Sequence, residues 1–318
     1  MRAVVALLGL NALQAGLVLL LSPGLKGFVT WLEHRISGRR GPSILQPYFD
    51  LAKLLRKERL MPEGASWIFR VAPLLVFASP LVVALLIPVL TTFPLTWAFV
   101  GDMVAGGFIL GLGGFFLQLA ALDSASPYAA IGSSRSRFVA FLAEPVMILV
   151  FFAVTYVAHA TIPYVVNQRL WQAPLLLSPT HVLLAAALFL VILAEGGRIP
   201  IDNPSSHHEL SQIEESRLFE YSGPDLALIE WGGMSKTMIL VVILMNVLIS
   251  PLGLASGMQA GPVALAVLAL LLKMLLFGIL LAAVESSFAK LRLLRAAEFL
   301  AGAFAISLLA LISFTLGG

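Results

Sequence analysis

Six ionisable side chains stand inside or at the ends of long apolar runs. Glu144 sits in FLAEPVMILV, Glu195 closes LVILAEGG, and Glu230 and Lys236 fall in ALIEWGGMSKTMILV. Lys273 lies within LALLLKMLLFG and Glu285 within AAVESSF. A charge at the centre of a bilayer costs at least about 2.5–3.5 kcal/mol on insertion scales, so each of these residues needs a reason. The chemistry open to buried carboxylates and amines is proton transfer, because burial and neighbouring charges bring their protonation toward neutral pH. A plainer account exists for each. Glu195, Glu230 and Glu285 lie near run ends, where they can reach headgroup water. Glu144 lies a turn or two inside its run, which favours function. Lys273 has eleven apolar residues on either side. It cannot easily snorkel to the interface, so it calls for a buried carboxylate or water. A single structural pair would also account for it; several such residues with matching acids point to a proton path.

A second polar feature is the stretch EGGRIPIDNPSSHHELSQIEESRLFEYSG, residues 195–223, with six acids, two arginines and two adjacent histidines. Its acids include Glu195, Asp202, Glu209, Glu215 and Glu220. Gly196 and Gly197 permit a sharp helix exit. IPIDNP is extended, because residues before proline avoid the helical region. Asn203 is a candidate N-cap, with Pro204 at the first helical position of a helix from about 204 to 220. The acids spread around that helix and form no single stripe. A solvated linker explains a high charge, but it does not explain prolines with few lysines. His207, His208 and Glu209 lack the H-E-x-x-H spacing that sets two imidazoles on one helix face, so no metal site is expected. No glycine-rich nucleotide loop and no nucleophile triad is present. GFILGLGGFF, 107–116, lies inside an apolar run and favours close helix packing.

The elements that must hold these residues are membrane helices. The chain has 318 residues, of which 59% are hydrophobic and 12% charged. Soluble domains average about 45–50% apolar and about 25% charged. The absence of cysteine excludes thiolate-held iron–sulfur clusters, thiolate zinc sites and disulfides in this chain. A span needs roughly 20 mostly apolar residues, and eight are expected: 3–31, 69–93, 102–122, 138–160, 179–195, 226–250, 262–284 and 297–317. The first could pass for a signal peptide, but its apolar run is too long, and it is read as a span. Basic residues collect in four alternate loops: Arg35 to Arg59, Arg135 with Arg137, Arg198 with Arg217, and Lys290 to Arg295. These loops are then cytoplasmic and both termini lie on the other side. PSILQPYFDLAKLLRKERL alternates apolar and charged positions at helical spacing, so residues 43–60 are expected to form a helix in the membrane interface, as a lipid anchor or as the lip of a docking site. The expected fold is all-α: one polytopic membrane domain, 1–318, of about eight transmembrane helices, with this interfacial helix and an acidic cytoplasmic loop, 196–225, carrying a helix of its own.

Three segments together carry a family resemblance: RRGPSILQPYFDLAKLLRKE (39–58), ALDSASPYAAIGSSRSRFVAFLAEP (121–145) and the stretch 195–223. The chain resembles the membrane subunit shared by respiratory complex I (NuoH-like) and the group 4 membrane-bound NiFe hydrogenases, such as formate hydrogenlyase subunit 4 and the energy-converting hydrogenases. RIPIDNPSSHHEL followed by EYSGPDLALIEW looks more like the hydrogenase branch. Where the quinone branch has two further glutamates, this sequence has Ser205 and His207, while Glu209 is kept. The resemblance implies a subunit of the inner membrane with no redox centre of its own. Its partners would be a NiFe hydrogenase-like large subunit, an iron–sulfur small subunit and antiporter-like membrane subunits, with membrane lipid around it and no nucleic acid. The NiFe centre and the clusters would belong to those partners. Glu144, Glu195, Asp202, Glu209, Glu215, Glu220, Glu230, Lys236, Lys273 and Glu285 would form the proton path or couple to it. Arg39, Arg40, Arg198 and His207 would face the peripheral arm, with Arg198 also orienting the acids.

Four readings of function follow. The first is the anchor and coupling subunit of a hydrogenase-type complex. The second is the quinone-site subunit of a complex I-type NADH dehydrogenase. A stand-alone secondary transporter ranks low, because broken midplane helices in matching repeats are not evident. A purely structural anchor would tolerate neutral substitutions at Glu144 and Lys273. In none of the first two would this chain be the catalytic subunit.

Overall fold

The computed structural model describes residues 2–172, 178–198, 215–287 and 293–317. Its order is α1 (Arg2–Ile36), α2 (Gln46–Leu55), α3 (Trp67–Leu86), α4 (Met103–Asp123), α5 (Pro127–Ala158), α6 (Pro163–Gln172), α7 (Pro179–Glu195), α8 (Gly223–Val242), α9 (Ala260–Ser287) and α10 (Leu293–Gly317). Among the described residues, seven helices are long and apolar enough to cross a membrane: α1, α3, α4, α5, α8 with its continuation to Ile249, α9 and α10. The fifth expected span is α7, apolar but only 17 residues long. At 1.5 Å per residue it reaches roughly 25 Å, a little short of the hydrocarbon thickness. The chain is therefore an all-α multi-pass membrane protein.

Prolines in the spans leave carbonyls without their helical partner, and neighbouring helices take them. Pro23 in α1 frees the carbonyl of Leu19, which accepts from the Trp231 indole N–H of α8 at 2.9 Å. One residue on, the Leu20 carbonyl accepts from the Tyr48 hydroxyl of α2 at 2.5 Å. Pro80 likewise exposes Val76 in α3. There Gly232 of α8 lies so close that a Cβ would stand 2.5 Å from the Val76 oxygen. Gly113 of the glycine-rich α4 meets Val76 and Ser79 in the same way, so that run serves helix packing as expected. Side-chain caps open three helices: Ser66 accepts from Ile68, Asp102 from Ala105 and Ser178 from His181.

Several expected boundaries move, each for a physical reason. The second span ends at Leu86 rather than 93, since Ile87 precedes Pro88 and is extended, with ψ 156°. The fourth begins at Pro127, not 138. Its first turns are covered by the end of the polar loop, with Gly132 against Ser216 and the Ser133 hydroxyl donating to the Gln118 carbonyl. Arg135 and Arg137, expected in a loop, are thus helical, and Glu144 lies near the middle of α5 instead of a turn or two inside. The interfacial helix is shorter than 43–60, spanning Gln46–Leu55, with Leu51 buried and Phe49 exposed. The expected loop helix falls mostly on residues 199–214, outside the described residues. Its described end, Glu215–Leu218, is a 3-10 turn. α8 continues beyond Val242 as a π-helix, Ile243–Ile249.

Candidate functional site

α7 stops where Gly196 and Gly197 were expected to release it: Gly197 adopts a left-handed φ of 58°, and Arg198 follows. α8 starts at Gly223, whose φ of 54° and contact with the Glu58 oxygen, 2.4 Å from a would-be Cβ, leave no room for a side chain. Between these two ends, a cavity of about 590 Å³ is walled by α1, α3, α4, α5, α7, the 3-10 turn and α8. Six of the sequence-predicted site residues line it: Glu144, Glu195, Arg198, Glu215, Glu230 and Lys236.

One charge cluster stands in its wall, and a second meets it through Arg198. The Lys236 ammonium donates to Glu195 Oε2 at 2.5 Å, with side-chain exposures of 18% and 10%. Among the described residues, Glu195 Oε1 has no hydrogen-bond partner. Glu144 lies within electrostatic reach of both, and its carboxyl faces Gly111 and Gly114 of α4, 3.6 and 3.8 Å from where a Cβ would stand on each. In the second cluster, Arg198 Nη1 contacts Glu33 Oε1 at 3.0 Å and both oxygens of Glu285 at 3.0 and 3.2 Å. Glu285 itself is 6% exposed. Glu195 and Glu285 therefore do not reach for headgroup water; each is held by a cation inside the protein. One arginine against two carboxylates leaves one negative charge over, which a proton can neutralise.

Sequence reasoning missed Glu33, because the first span was ended at 31 and Glu33 was left in a loop. Its signal was available, since WLEHR closes a long apolar run as AAVESSF does. It also missed Asp225, 5% exposed, which accepts from Arg59 Nε at 2.5 Å. Lys26, Gln118, Ser136 and Tyr221 also line the cavity. Arg217 reaches it from the 3-10 turn, donating to the Ser136 hydroxyl at 2.9 Å.

The other predicted residues lie elsewhere. Glu220 is half-buried beside the cavity wall, and Arg39 and Arg40 are exposed after the end of α1. Asp202, His207 and Glu209 lie outside the described residues. Lys273 is not part of the cavity. The protein oxygens beside it are an amide and a carbonyl: Nζ donates to Asn246 Oδ1 at 2.8 Å and to the Ser250 carbonyl at 2.6 Å. Among the described residues, no three His, Asp or Glu side chains come together as a metal site.

Tyr221 closes the cavity toward α3. Its ring stacks on Phe69 with centroids 4.1 Å apart, and its hydroxyl donates to the Phe69 carbonyl at 3.0 Å. Burial, and then the negative charges of Asp225 and Asp123, push the phenol above its ordinary range, against an opposing pull from Arg59. The folded protein thus keeps this proton where an unfolded chain gives it up, near pH 10. The stabilisation is full below that pH and is lost as pH rises past it. Tyr221→Phe is expected to lower stability by about 1 kcal/mol at neutral pH and to reduce the loss at high pH. Thermal melts of the purified chain at pH 7 and 10.5 read both; equal pH sensitivity in the two proteins would count against this assignment.

The NADH dehydrogenase family model matches residues 13–316. Formate hydrogenlyase subunit 4 of Escherichia coli K12 is 30% identical over 282 residues, covering 88% of this chain and 90% of that one. Hydrogenase-4 component C of the same organism is 32% identical over 284 residues, covering 88% and 87%. Among solved structures, a chain of the membrane-bound sulfane sulfur reductase, an archaeal respiratory membrane complex, superposes with a TM-score of 0.78 at 19% identity, over 96% of this chain and 99% of that one, a likeness of fold. The chain therefore belongs to the NuoH-like NADH dehydrogenase family.

Proposed function

We propose that this chain is the membrane anchor and proton- and charge-coupling subunit of a group 4 NiFe hydrogenase-type, formate hydrogenlyase-like complex of the inner membrane. The observation that carries the coupling role is the cavity in which Glu144, the Glu195–Lys236 pair and the Arg198 cluster converge. Such a group of acids, partly neutralised by fixed cations, takes up or releases protons when a nearby charge changes. A redox arm seated over the ends of α7 and α8 would supply that change. The arm would hold a NiFe large subunit and an iron–sulfur small subunit, so that the metals lie outside this chain. Antiporter-like subunits and lipid would cover the apolar faces of α9 and α10, where Leu268, Leu272, Leu309 and Ile312 are exposed. Both termini would lie away from the cytoplasm, and the end of the bundle that carries the cavity would face it. The preference for the hydrogenase branch is supported by the coverage of the two hydrogenase relatives.

Isolation of the intact complex through a tag on this chain, with nickel analysis and subunit mass spectrometry, tests the proposal. Stoichiometric nickel with a hydrogenase-like large subunit is expected. Flavin and NADH-oxidising subunits without nickel would move the chain to the NADH–quinone branch, and the absence of any soluble partner would overturn both.

A further inference from the structure

We propose that Lys273 forms a second proton-exchange site in the half of the membrane away from the cavity. The separation follows from the helices. Lys273 precedes Glu285 by twelve residues on α9, roughly 18 Å along the axis. Its partner Asn246 follows Lys236 by ten residues, roughly 15 Å along α8 and its π-helical continuation.

The π-helix builds the site. Widening the turn over Ile243–Ile249 breaks the usual carbonyl pairing near the end of α8. Other helices take up the released groups: a ring nitrogen of His181 contacts the Leu248 carbonyl, and the Asn167 amide donates to the Asn246 carbonyl at 2.7 Å. The Asn246 side chain donates to the Pro88 and Val89 carbonyls at 2.9 and 3.0 Å, where α3 has ended. With its amide nitrogen so committed, Asn246 must present Oδ1 to Lys273. The amine therefore sees two acceptors, Asn246 Oδ1 and the Ser250 carbonyl. Among the described residues no ion pair includes it; the pairs of Arg59 with Asp225, Arg198 with Glu33 and Glu285, and Lys236 with Glu195 lie at the other end of the bundle. Of the titratable groups in this half, His181 is engaged with Leu248, Tyr164 packs with Leu95 and Ala98, Asp102 caps α4 at Ala105, Arg169 donates to the Ala158 carbonyl, and His159 lies against Tyr156 and Phe314.

Two acceptors match a neutral amine, which has two N–H groups. An ammonium has three, so its third proton must look elsewhere. A cleft of about 160 Å³ lies close by, lined by Thr92, Asn167, Gln168, Trp171, Pro251 and Leu252. Two of its lining residues connect to the groups that hold the amine: Asn167 donates to the Asn246 carbonyl, and Pro251 directly follows Ser250. Its volume accommodates several waters, each of which occupies about 30 Å³ in the liquid. The exchange is one proton from the ammonium to a water that reaches it by way of the cleft, leaving the neutral amine hydrogen-bonded to the same two oxygens. No other reactant is needed.

Only the neutral amine reacts with carbonyl reagents, so labelling reads the exchange directly. The intact complex is reductively methylated with formaldehyde at pH 8, and modification of Lys273 and Lys236 is measured by peptide mass spectrometry, each relative to the denatured chain. Lys236 is fixed by Glu195 and serves as the reference. Lys273 is expected to be modified roughly tenfold faster or more. Asn246→Asp, which sets a carboxylate beside the amine, is expected to remove that difference. Equal or slower modification of Lys273 in the unaltered complex would overturn the proposal, because either a fixed ammonium or a closed cleft contradicts it. The readout does not depend on which redox partners the complex contains.

Discussion

Replacing Arg198 by glutamine is expected to destabilise the folded chain by roughly 3–5 kcal/mol, the cost of stripping one partner from a buried ion cluster. Arg198 stands just past the end of α7, with its side chain 11% exposed. Through one nitrogen, Nη1, it touches Glu33 from α1 and Glu285 from α9. Its removal leaves two carboxylates facing each other across the space it filled, with Glu285 only 5% exposed in its side chain. Two acids in such a position cannot both stay ionised, and one of them takes up a proton. The substitution therefore removes the tie between three helices and the charge state of the cluster together. Arg198→Lys is expected to cost less, because all three contacts run from a single nitrogen that an ammonium can replace. Adding Glu285→Gln to Arg198→Gln is expected to recover part of the loss, as the more deeply buried of the two facing carboxylates is then neutral. Thermal unfolding of the detergent-solubilised chain, compared across the four proteins, gives the answer. An Arg198→Gln protein as stable as the parent would show that the cluster contributes little to folding.

The two carboxylates around Arg198 also illustrate what a sequence can and cannot convey. Glu285 stood out because it interrupts an apolar run. Glu33 is chemically its twin, but the run before it ends in Trp31 and Leu32, and a boundary drawn two residues early removed it from consideration. The type and order of the membrane-spanning helices were legible, because apolar runs of this length admit one solution in a bilayer: a helix whose backbone groups are satisfied internally; the short α6, Pro163–Gln172, was not expected. Ends were less legible, since they depend on packing. The start of α5 at Pro127 is stabilised by contact between Gly132 and Ser216, residues far apart in the chain. Lys273 was recognised as costly, yet its partners were not recognisable. Ser250 becomes an acceptor only because α8 ends in a π-turn, and no local pattern in ILMNVLI announces one. Convergence is the other thing a linear reading lacks. Glu144, Glu195, Glu230 and Lys236 were each identified singly. That they face one volume follows from the close approach of α3, α4 and α8 at glycines 113 and 232.

If that volume is where protons are handled, Glu144→Gln is expected to leave assembly and electron transfer intact while slowing proton delivery by about 10²-fold or more, the usual range for losing a positioned acid–base group. The substitution suits the site sterically. The carboxyl rests 3.6 Å from the position of a Gly111 Cβ, in ordinary contact, and an amide of the same shape fits there. Its effect is then on charge and proton capacity alone. Lys236→Met should act differently. It takes the cation from Glu195 Oε2 and so leaves a nearly buried carboxylate without its ammonium. That protein is expected to lose stability as well as coupling, and Glu195→Gln in the same chain should restore the stability without restoring the coupling. Reconstituted complex in sealed vesicles permits both readings at once, with dye-reported acidification measured against electron transfer. Loss of proton movement at constant turnover in Glu144→Gln places this carboxylate in the path. Undiminished movement would reduce the cavity's acids to structural ion pairs and leave the chain as an anchor.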